Sequence, residues 1–118
     1  MNDLVLWHNP RCSKSRQALE LLRERGVDPR LVRYLEMPPT ALQLERVLGL
    51  LALEPRELMR TSETAYREAG LDDPTLDRQA LIAAMVAHPI LIQRPVAISG
   101  DRAALGRPPE RVLDLLPA

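Results

Sequence analysis

The chain has 118 residues, 46% of them hydrophobic, and its sixteen basic residues are balanced by sixteen acidic ones. A balanced charge gives no general attraction to nucleic acid or to an anionic membrane, so we expect neither as a partner. The length is typical of a single domain over residues 1–118, and the one cysteine, Cys12, allows no disulfide within the chain. A fold without disulfides favours a cytoplasmic protein, and no apolar run is long enough to cross a bilayer.

The first elements are a strand, a helix and a second strand. The apolar run from Leu4 to Trp7 predicts a buried strand, and Pro10 places a loop after it. A helical period begins at Cys12, and Gly26 is placed to end that helix in a left-handed conformation. Ser15, Ala18, Leu19 and Leu22 have the spacing i, i+3, i+4, i+7 of one face of such a helix. A second strand over residues 31–35 completes a βαβ unit with parallel strands.

A helical insert follows this unit. Thr40 and Gln43 have the spacing of a capping box at the start of a helix. Two short helical pieces are predicted over residues 55–60 and 62–69, and Asp77 is the predicted cap of a further helix. The predicted buried face of that further helix consists of Ala80, Leu81, Ala84 and Met85.

The last elements are a hairpin and a helix. Residues 96–99 and 102–105 flank Gly100 and Asp101, a two-residue turn that is typical of antiparallel strands. The final helix is predicted to begin at Pro108–Pro109, since proline is tolerated in a first turn. Its apolar side is predicted to be Val112, Leu113 and Leu116. The order βαβ, helical insert, ββα predicts an α/β fold with parallel and antiparallel pairs.

Cys12 is the strongest candidate for chemistry. It lies where the loop after the first strand turns into a helix, and the free backbone N–H groups of a first helical turn stabilise a thiolate. A lone cysteine in a cytosolic protein is usually a small buried hydrophobe, but its neighbours Arg11, Ser13 and Lys14 are polar. The position therefore favours a reactive thiol over a structural one.

For two side chains near Cys12, the sequence allows two roles each. Ser15 lies one helical turn after the cysteine and could donate a hydrogen bond to the thiolate, or it could be a plain surface serine. His8 could add a charge, or it could be a loop histidine bonded to backbone. Because the Cys-x-x-Ser pattern has no second cysteine, an oxidised or adducted Cys12 requires an external thiol.

Three arginines are candidates for anion binding. Arg60, Arg94 and Arg107 lie at predicted element edges, where loops gather, although a solvated surface role is the default for each. No spacing of His, Cys and Asp suggests a metal site, and the sequence contains no phosphate-binding glycine loop and no dinucleotide fingerprint. We therefore expect neither a metal nor a bound cofactor.

Five segments, taken in order, resemble the ArsC family of glutaredoxin-dependent arsenate reductases, and most closely its shorter YfgD-like branch. They are HNPRCSKSRQALELL, YLEMPP, ELMR, HPILIQRPVAI and LGRPPE. The resemblance implies a thioredoxin-like fold with a mixed four-stranded sheet and a helical insert. It also implies a cis peptide bond between Arg94 and Pro95.

The resemblance further implies a mechanism and a set of site residues. A thiolate at Cys12 would attack arsenate, glutathione as co-substrate would form a mixed disulfide with it, glutaredoxin would reduce that disulfide, and arsenite would be released. His8 matches the family's thiolate-tuning histidine. The oxyanion ligands of the family match Arg60, Arg94 and Arg107. Asn9 and Ser15 are expected to support the oxyanion and the thiolate, respectively.

Two alternatives to an arsenate reductase remain. Spx-like regulators share the fold and bind RNA polymerase, but they typically carry a Cys-x-x-Cys redox switch, which Ser15 removes here. A monothiol glutaredoxin-like protein is the other alternative. It would remove glutathione from disulfides without any need for arsenate, and the three arginines favour the reductase over it.

Overall fold

The structure, a computed structural model, describes residues 4 to 117 and divides into two compact units. The first unit comprises the described residues up to Met37 together with those from Arg94 onward, and the second unit is Pro38–Gln93. The first unit contains the sheet and Cys12, whereas the second is the helical insert. That the two units form one domain over residues 1–118 stays a prediction.

A mixed four-stranded sheet with the order β2-β1-β3-β4 forms the centre of the first unit. Its strands are β1 (Leu4–Trp7), β2 (Arg30–Val32), β3 (Val96–Ser99) and β4 (Arg102–Leu105). β1 is parallel to β2 and antiparallel to β3, and β3 and β4 form the predicted hairpin, with Gly100 at φ 59° in its turn. The predicted α/β, thioredoxin-like fold is thereby confirmed.

Strand β2 is shorter than the sequence indicated. We expected it to continue to Leu35, but it ends at Val32. The carbonyl of Arg33 accepts hydrogen bonds from the N–H groups of both Glu36 and Met37, so the chain turns here. The prediction was wrong for the last three residues because an apolar run does not reveal where such a turn begins.

Helix α1 (Ser13–Glu24) packs on the sheet with the face that its period predicts. Its buried residues are Ser15, Ala18, Leu19 and Leu22, and the core that they join includes Leu4, Leu6, Ala97 and Val112. Gly26 follows the helix with φ 78° and donates its N–H to the carbonyl of Arg23, which is the predicted left-handed ending. The polarity pattern of this segment was therefore sufficient to place it.

The final element is a 3-10 helix, Pro109–Leu115, rather than an α-helix. Because a 3-10 helix has about three residues per turn, its buried side is Pro109, Val112 and Leu115. Leu113 and Leu116, which we expected on the buried side, are only partly buried against the core. The predicted face was thus right for Val112 and missed Leu115.

The second unit consists of three α-helices and two short 3-10 helices. They are α2 (Ala41–Leu51), Pro55–Leu58, α3 (Thr64–Glu68), α4 (Arg78–Ala87) and Pro89–Leu91. Thr40 and Gln43 form the predicted capping box, and the Asp77 side chain accepts from the N–H of Ala80 as the predicted cap. The buried residues of α4 are Leu81, Ile82 and Met85, and the two alanines predicted with them are partly buried.

The first 3-10 helix of this unit stops before the predicted end at Arg60. Met59 and Ile92 form an isolated antiparallel bridge, and the N–H of Arg60 donates to the carbonyl of Leu91 at 2.6 Å. These bonds require extended backbone, so the helix cannot continue. Within the described part of the chain no helix is long and apolar enough to cross a membrane.

Candidate active site

The loop between β1 and α1 places Cys12 at the start of the helix. The N–H of His8 donates to the carbonyl of Val32 at 2.8 Å, which extends the parallel pairing by one residue. The N–H of Cys12 then donates to the carbonyl of Asn9 at 3.0 Å, and the N–H of Arg11 donates to Asn9 Oδ1, also at 3.0 Å. Cys12 is the N-cap residue of α1, so its side chain lies beside the unpaired N–H groups of the first turn.

Three donors surround the sulfur of Cys12, which is partly exposed to solvent. Partial burial acts to raise the pKa of the thiol, but the nearby Ser15 N–H, the Arg94 guanidinium with its charge, and the nearby Lys14 N–H outweigh it. The net effect is a pKa below the ordinary value of a cysteine. Such a site holds Cys12 as a thiolate over more of the neutral range than a free thiol.

A pH titration of alkylation tests this environment. Because only the thiolate reacts, the rate of modification of Cys12 by iodoacetamide should rise with pH through a midpoint below that of free cysteine. The rate should be flat above the midpoint, where the thiol is already ionised. A midpoint at or above that of glutathione, measured in the same buffers, would refute the lowered pKa.

The hydroxyl of Ser15 serves the loop rather than the sulfur. Ser15 is fully buried, and its Oγ accepts the N–H of Asn9 at 3.0 Å and lies 2.6 Å from Nδ1 of His8. With one bond accepted from Asn9, the hydroxyl proton is available for a neutral His8 Nδ1. It is the backbone N–H of Ser15, not the hydroxyl, that lowers the pKa of Cys12.

His8 is a buried, neutral residue. Burial is the main cause that lowers the pKa of its imidazole below 6.5, and the positive charges of Arg33, Arg23 and Arg16 lower it further. At neutral pH such an imidazole is uncharged, so it offers no positive charge to a thiolate. The structure supports a connection from His8 to Cys12 through Ser15, and the tuning role of His8 stays a prediction.

Replacing Ser15 with alanine should lower the free energy of unfolding by about 2–6 kcal/mol, about 1–3 kcal/mol for each of two buried groups. The change leaves the Asn9 N–H and His8 Nδ1 without a partner, and each buried polar group that loses its hydrogen bond is destabilising by such an amount. Urea unfolding measures the effect, with Ser13→Ala as a matched control because Ser13 is exposed in the same helical turn. Equal stabilities of the two variants would argue against this network.

Arg94 and Arg107 lie in two turns that approach each other closely. Both precede a cis proline, and Nη1 of Arg107 donates to the Arg94 carbonyl at 3.3 Å. The N–H of Gly106 donates to the Pro95 carbonyl at 2.8 Å, and a Cβ on Gly106 would lie 2.6 Å from Pro95 Cγ. The resemblance implied the first cis bond. The sequence alone gave no signal for the second, or for the need for glycine at position 106.

The guanidinium of Arg94 is the least satisfied polar group of the site. Arg94 is partly buried, one part of its guanidinium donates to Cys12, and its Nε and Nη1 atoms are buried without a hydrogen-bond partner. Buried donors of a charged group are rarely left unpaired in native proteins. A ligand with acceptor oxygens next to the sulfur would complete them.

The predicted site residues divide between the two units. The first unit contains His8, Asn9, Cys12, Ser15, Arg94 and Arg107. Arg60 belongs to the second unit, where its Nη1 pairs with a carboxylate oxygen of Glu63. Sequence inspection did not single out Arg16, whose Nη1 donates to the Pro10 carbonyl at 2.9 Å and braces the loop before Cys12.

No group of three or more His, Cys, Asp or Glu side chains is arranged to hold a metal among residues 4–117. The site consists instead of one thiol, backbone N–H groups and guanidinium groups. These are the parts of a thiol site that binds an anion. Its chemistry would come from the sulfur.

A thioredoxin-like fold with this site defines the class of protein, and comparison with known families identifies the family. The model of the ArsC family matches residues 7–115. The chain belongs to the ArsC family.

Relatives match over nearly the whole length. The uncharacterized protein YfgD of Escherichia coli K12 is 48% identical over 115 residues, 97% of either chain. An arsenate reductase of Neisseria meningitidis serogroup A is 44% identical over 113 residues, 95% of this chain and 97% of the relative. The solved structure of an arsenate reductase from Vibrio cholerae superposes with a TM-score of 0.94 at 45% identity, covering 98% of each chain.

Proposed function

We propose that this protein reduces arsenate to arsenite, with Cys12 as the nucleophile and glutathione and glutaredoxin as reductants. The observation that carries the proposal is the guanidinium of Arg94, which donates to Cys12 and keeps two buried nitrogen atoms unpaired beside it. A tetrahedral oxyanion offers several acceptor oxygens to such donors, and paired N–H···O bonds to guanidinium are among the strong ones. Relatives named arsenate reductase support the choice of arsenate among oxyanions.

The thiolate of Cys12 attacks the arsenic atom, and one arsenate oxygen leaves as water after protonation. Arg94 neutralises the charge that develops on the oxyanion, and Arg107 and Arg60 are the further proposed ligands. Asn9 supports the oxyanion side, while His8 and Ser15 hold the loop that presents the sulfur. Most of the catalytic effect in this scheme comes from charge neutralisation and positioning, because a lower thiol pKa also weakens the nucleophile.

The electrons come from two thiols. A glutathione thiol attacks Cys12 Sγ, the sulfur–arsenic bond breaks, and its electron pair stays on arsenic, which is thereby reduced to arsenite. Cys12 and glutathione are then joined in a disulfide. Because the chain has no second cysteine, an external thiol must reduce that disulfide, and we assign this step to glutaredoxin. A cytoplasmic location, where such thiols are maintained, is part of the proposal.

A coupled assay tests the proposal. Native protein is supplied with glutathione, glutaredoxin, glutathione reductase and NADPH, and absorbance reports NADPH oxidation. Oxidation should require arsenate, and phosphate in its place should give only the background rate. If the native protein reacts with an alkylating agent at Cys12 but gives no arsenate-dependent oxidation, arsenate is not its substrate. The assignment of Cys12 as a reactive thiol would still hold.

The two alternatives predict different results in the same assay. A monothiol glutaredoxin-like protein would reduce glutathione mixed disulfides, and omission of arsenate would not slow it. An Spx-like regulator would give no turnover in either case and would bind RNA polymerase. Ser15 in place of a second cysteine and the unpaired donors of Arg94 favour the reductase.

A further inference from the structure

The segments of the first unit that carry the site contain cations and no carboxylates, although the whole chain has a net charge of zero. No Asp or Glu occurs in residues 4–19, 94–99 or 105–109. The cations in these segments are Arg11, Lys14, Arg16, Arg94 and Arg107. The first acidic residue along α1 is Glu20, about two helical turns after Cys12. The thiol therefore lies in a locally positive part of a neutral protein.

Two of these cations flank Cys12 directly, and in the described part of the chain their charges are not neutralised by an ion pair. Arg11 precedes Cys12 and Lys14 is two residues after it, and both side chains are exposed. Within residues 4–117 neither forms an ion pair. By contrast, Arg16 is bonded to the Pro10 carbonyl and Arg94 to the sulfur. We call Arg11 and Lys14 the basic rim.

We propose that the basic rim selects the thiol that attacks Cys12 Sγ and displaces the group bound to it, and that it favours small thiols that carry carboxylates. The proposal rests on the reactivity of Cys12 proposed above, but it does not depend on arsenate as substrate. In the step concerned, an incoming thiolate forms a disulfide bond with Cys12 Sγ. The group previously bound to that sulfur leaves with the electron pair and is protonated.

The size of the effect follows from the charges. At about 7 Å in water, one opposite unit charge raises the encounter rate of an anion by roughly two- to threefold, so two cations raise it by about fivefold at low ionic strength. A cationic thiol should be disfavoured by a similar factor. Since the Debye length falls from about 30 Å at 0.01 M salt to about 3 Å at 1 M, added salt should remove most of both effects.

The experiment uses the full chain, with Cys12 first converted to its thiopyridyl mixed disulfide by 2,2′-dithiodipyridine. A thiol that attacks Cys12 Sγ then displaces 2-thiopyridone, which is neutral. Its release is followed by absorbance after addition of 3-mercaptopropionate, 2-mercaptoethanol, cysteamine or glutathione. Each rate constant is divided by that of the same thiol with free 2,2′-dithiodipyridine. This ratio removes differences in thiol pKa and nucleophilicity.

The expected result is a ratio about fivefold higher for 3-mercaptopropionate than for 2-mercaptoethanol in low salt, and lower for cysteamine than for 2-mercaptoethanol. Glutathione should follow the anionic thiol, and the order should reverse in Arg11→Glu/Lys14→Glu. The matched control is Arg25→Glu/Arg30→Glu, which makes the same charge change at exposed positions beyond the C-terminal end of α1 and at the start of β2.

Equal ratios for all thiols in the native protein, or the same change in both double variants, would overturn the selection by the basic rim. Charge preferences in that case would be absent or would reflect net charge alone. If Cys12 fails to take up the thiopyridyl group at all, the reactive thiol itself is refuted, and the rim proposal with it. If Cys12 is labelled and arsenate is turned over, but the native protein shows no preference for anionic thiols, only the role of the basic rim is refuted.

Discussion

Replacing Cys12 with serine should abolish arsenate-dependent NADPH oxidation, with a loss of about 10⁴-fold or more. A serine hydroxyl in the same place has a far higher pKa than a thiol, so the donors at the helix start have almost no anion to stabilise. Serine also cannot form the disulfide through which the two electrons leave. Both the attack and the regeneration steps are lost together, and for this reason we expect the largest effect here.

The comparison needs proof that the variant still folds. The hydrogen bonds of the loop involve the backbone of Cys12, which serine retains, so circular dichroism and urea unfolding should be close to those of the native chain. Ser13→Ala, an exposed change one residue away, serves as the activity control. Should Cys12→Ser keep a tenth of the native turnover while folded, the nucleophile must be a group other than this sulfur.

Replacing Arg94 with methionine should lower kcat/KM for arsenate by about 10²- to 10³-fold, the usual cost of removing one donor from a site of developing charge. Two consequences of the substitution should be separable. The hydrogen bond and the charge that lower the pKa of Cys12 disappear, so the alkylation midpoint should move up toward that of free cysteine. The donors for the oxyanion also disappear, so KM for arsenate should rise.

Arg94→Lys refines the same experiment. Lysine keeps the charge but not the planar set of donors. The pKa of Cys12 in Arg94→Lys should therefore be lower than in Arg94→Met, while KM for arsenate should stay close to that of Arg94→Met. Arg25→Met is the matched control, since Arg25 is exposed at the C-terminal end of α1. An unchanged alkylation midpoint in Arg94→Met would show that Arg94 has no influence on the sulfur.

Local patterns in the sequence were sufficient for much of the fold. The period of α1 predicted its four buried residues, Gly26 predicted its ending, and the Gly100 turn predicted both strands of the hairpin to the residue. These features depend on side chains within a few positions of each other. The capping box at Thr40 is of the same kind. Structure that depends on interactions between residues close in sequence can be predicted from a single sequence.

Features that depend on distant segments were not predictable in this way. The donation from Arg94 to Cys12 joins residues more than eighty positions apart, and the family resemblance suggested Arg94 only as an oxyanion ligand. The close approach at Gly106 likewise depends on how two loops pack. The bonds of Ser15 to His8 and of Arg16 to Pro10 are local, but they depend on a loop conformation that a helical period does not specify. Period alone also failed for the last helix, since its 3-10 form places Leu115 in the core.

The most direct test of the proposed chemistry is a single turnover without glutaredoxin. Reduced protein is mixed anaerobically with arsenate and glutathione and quenched with acid, and arsenite and the intact protein mass are measured together. We predict arsenite in an amount equal to the protein, with one glutathione bound at Cys12, and a free thiol when arsenate is omitted. Arsenate that stays unreduced while Cys12 stays free, or arsenite formed equally by Cys12→Ser, would contradict the reduction of arsenate by this cysteine.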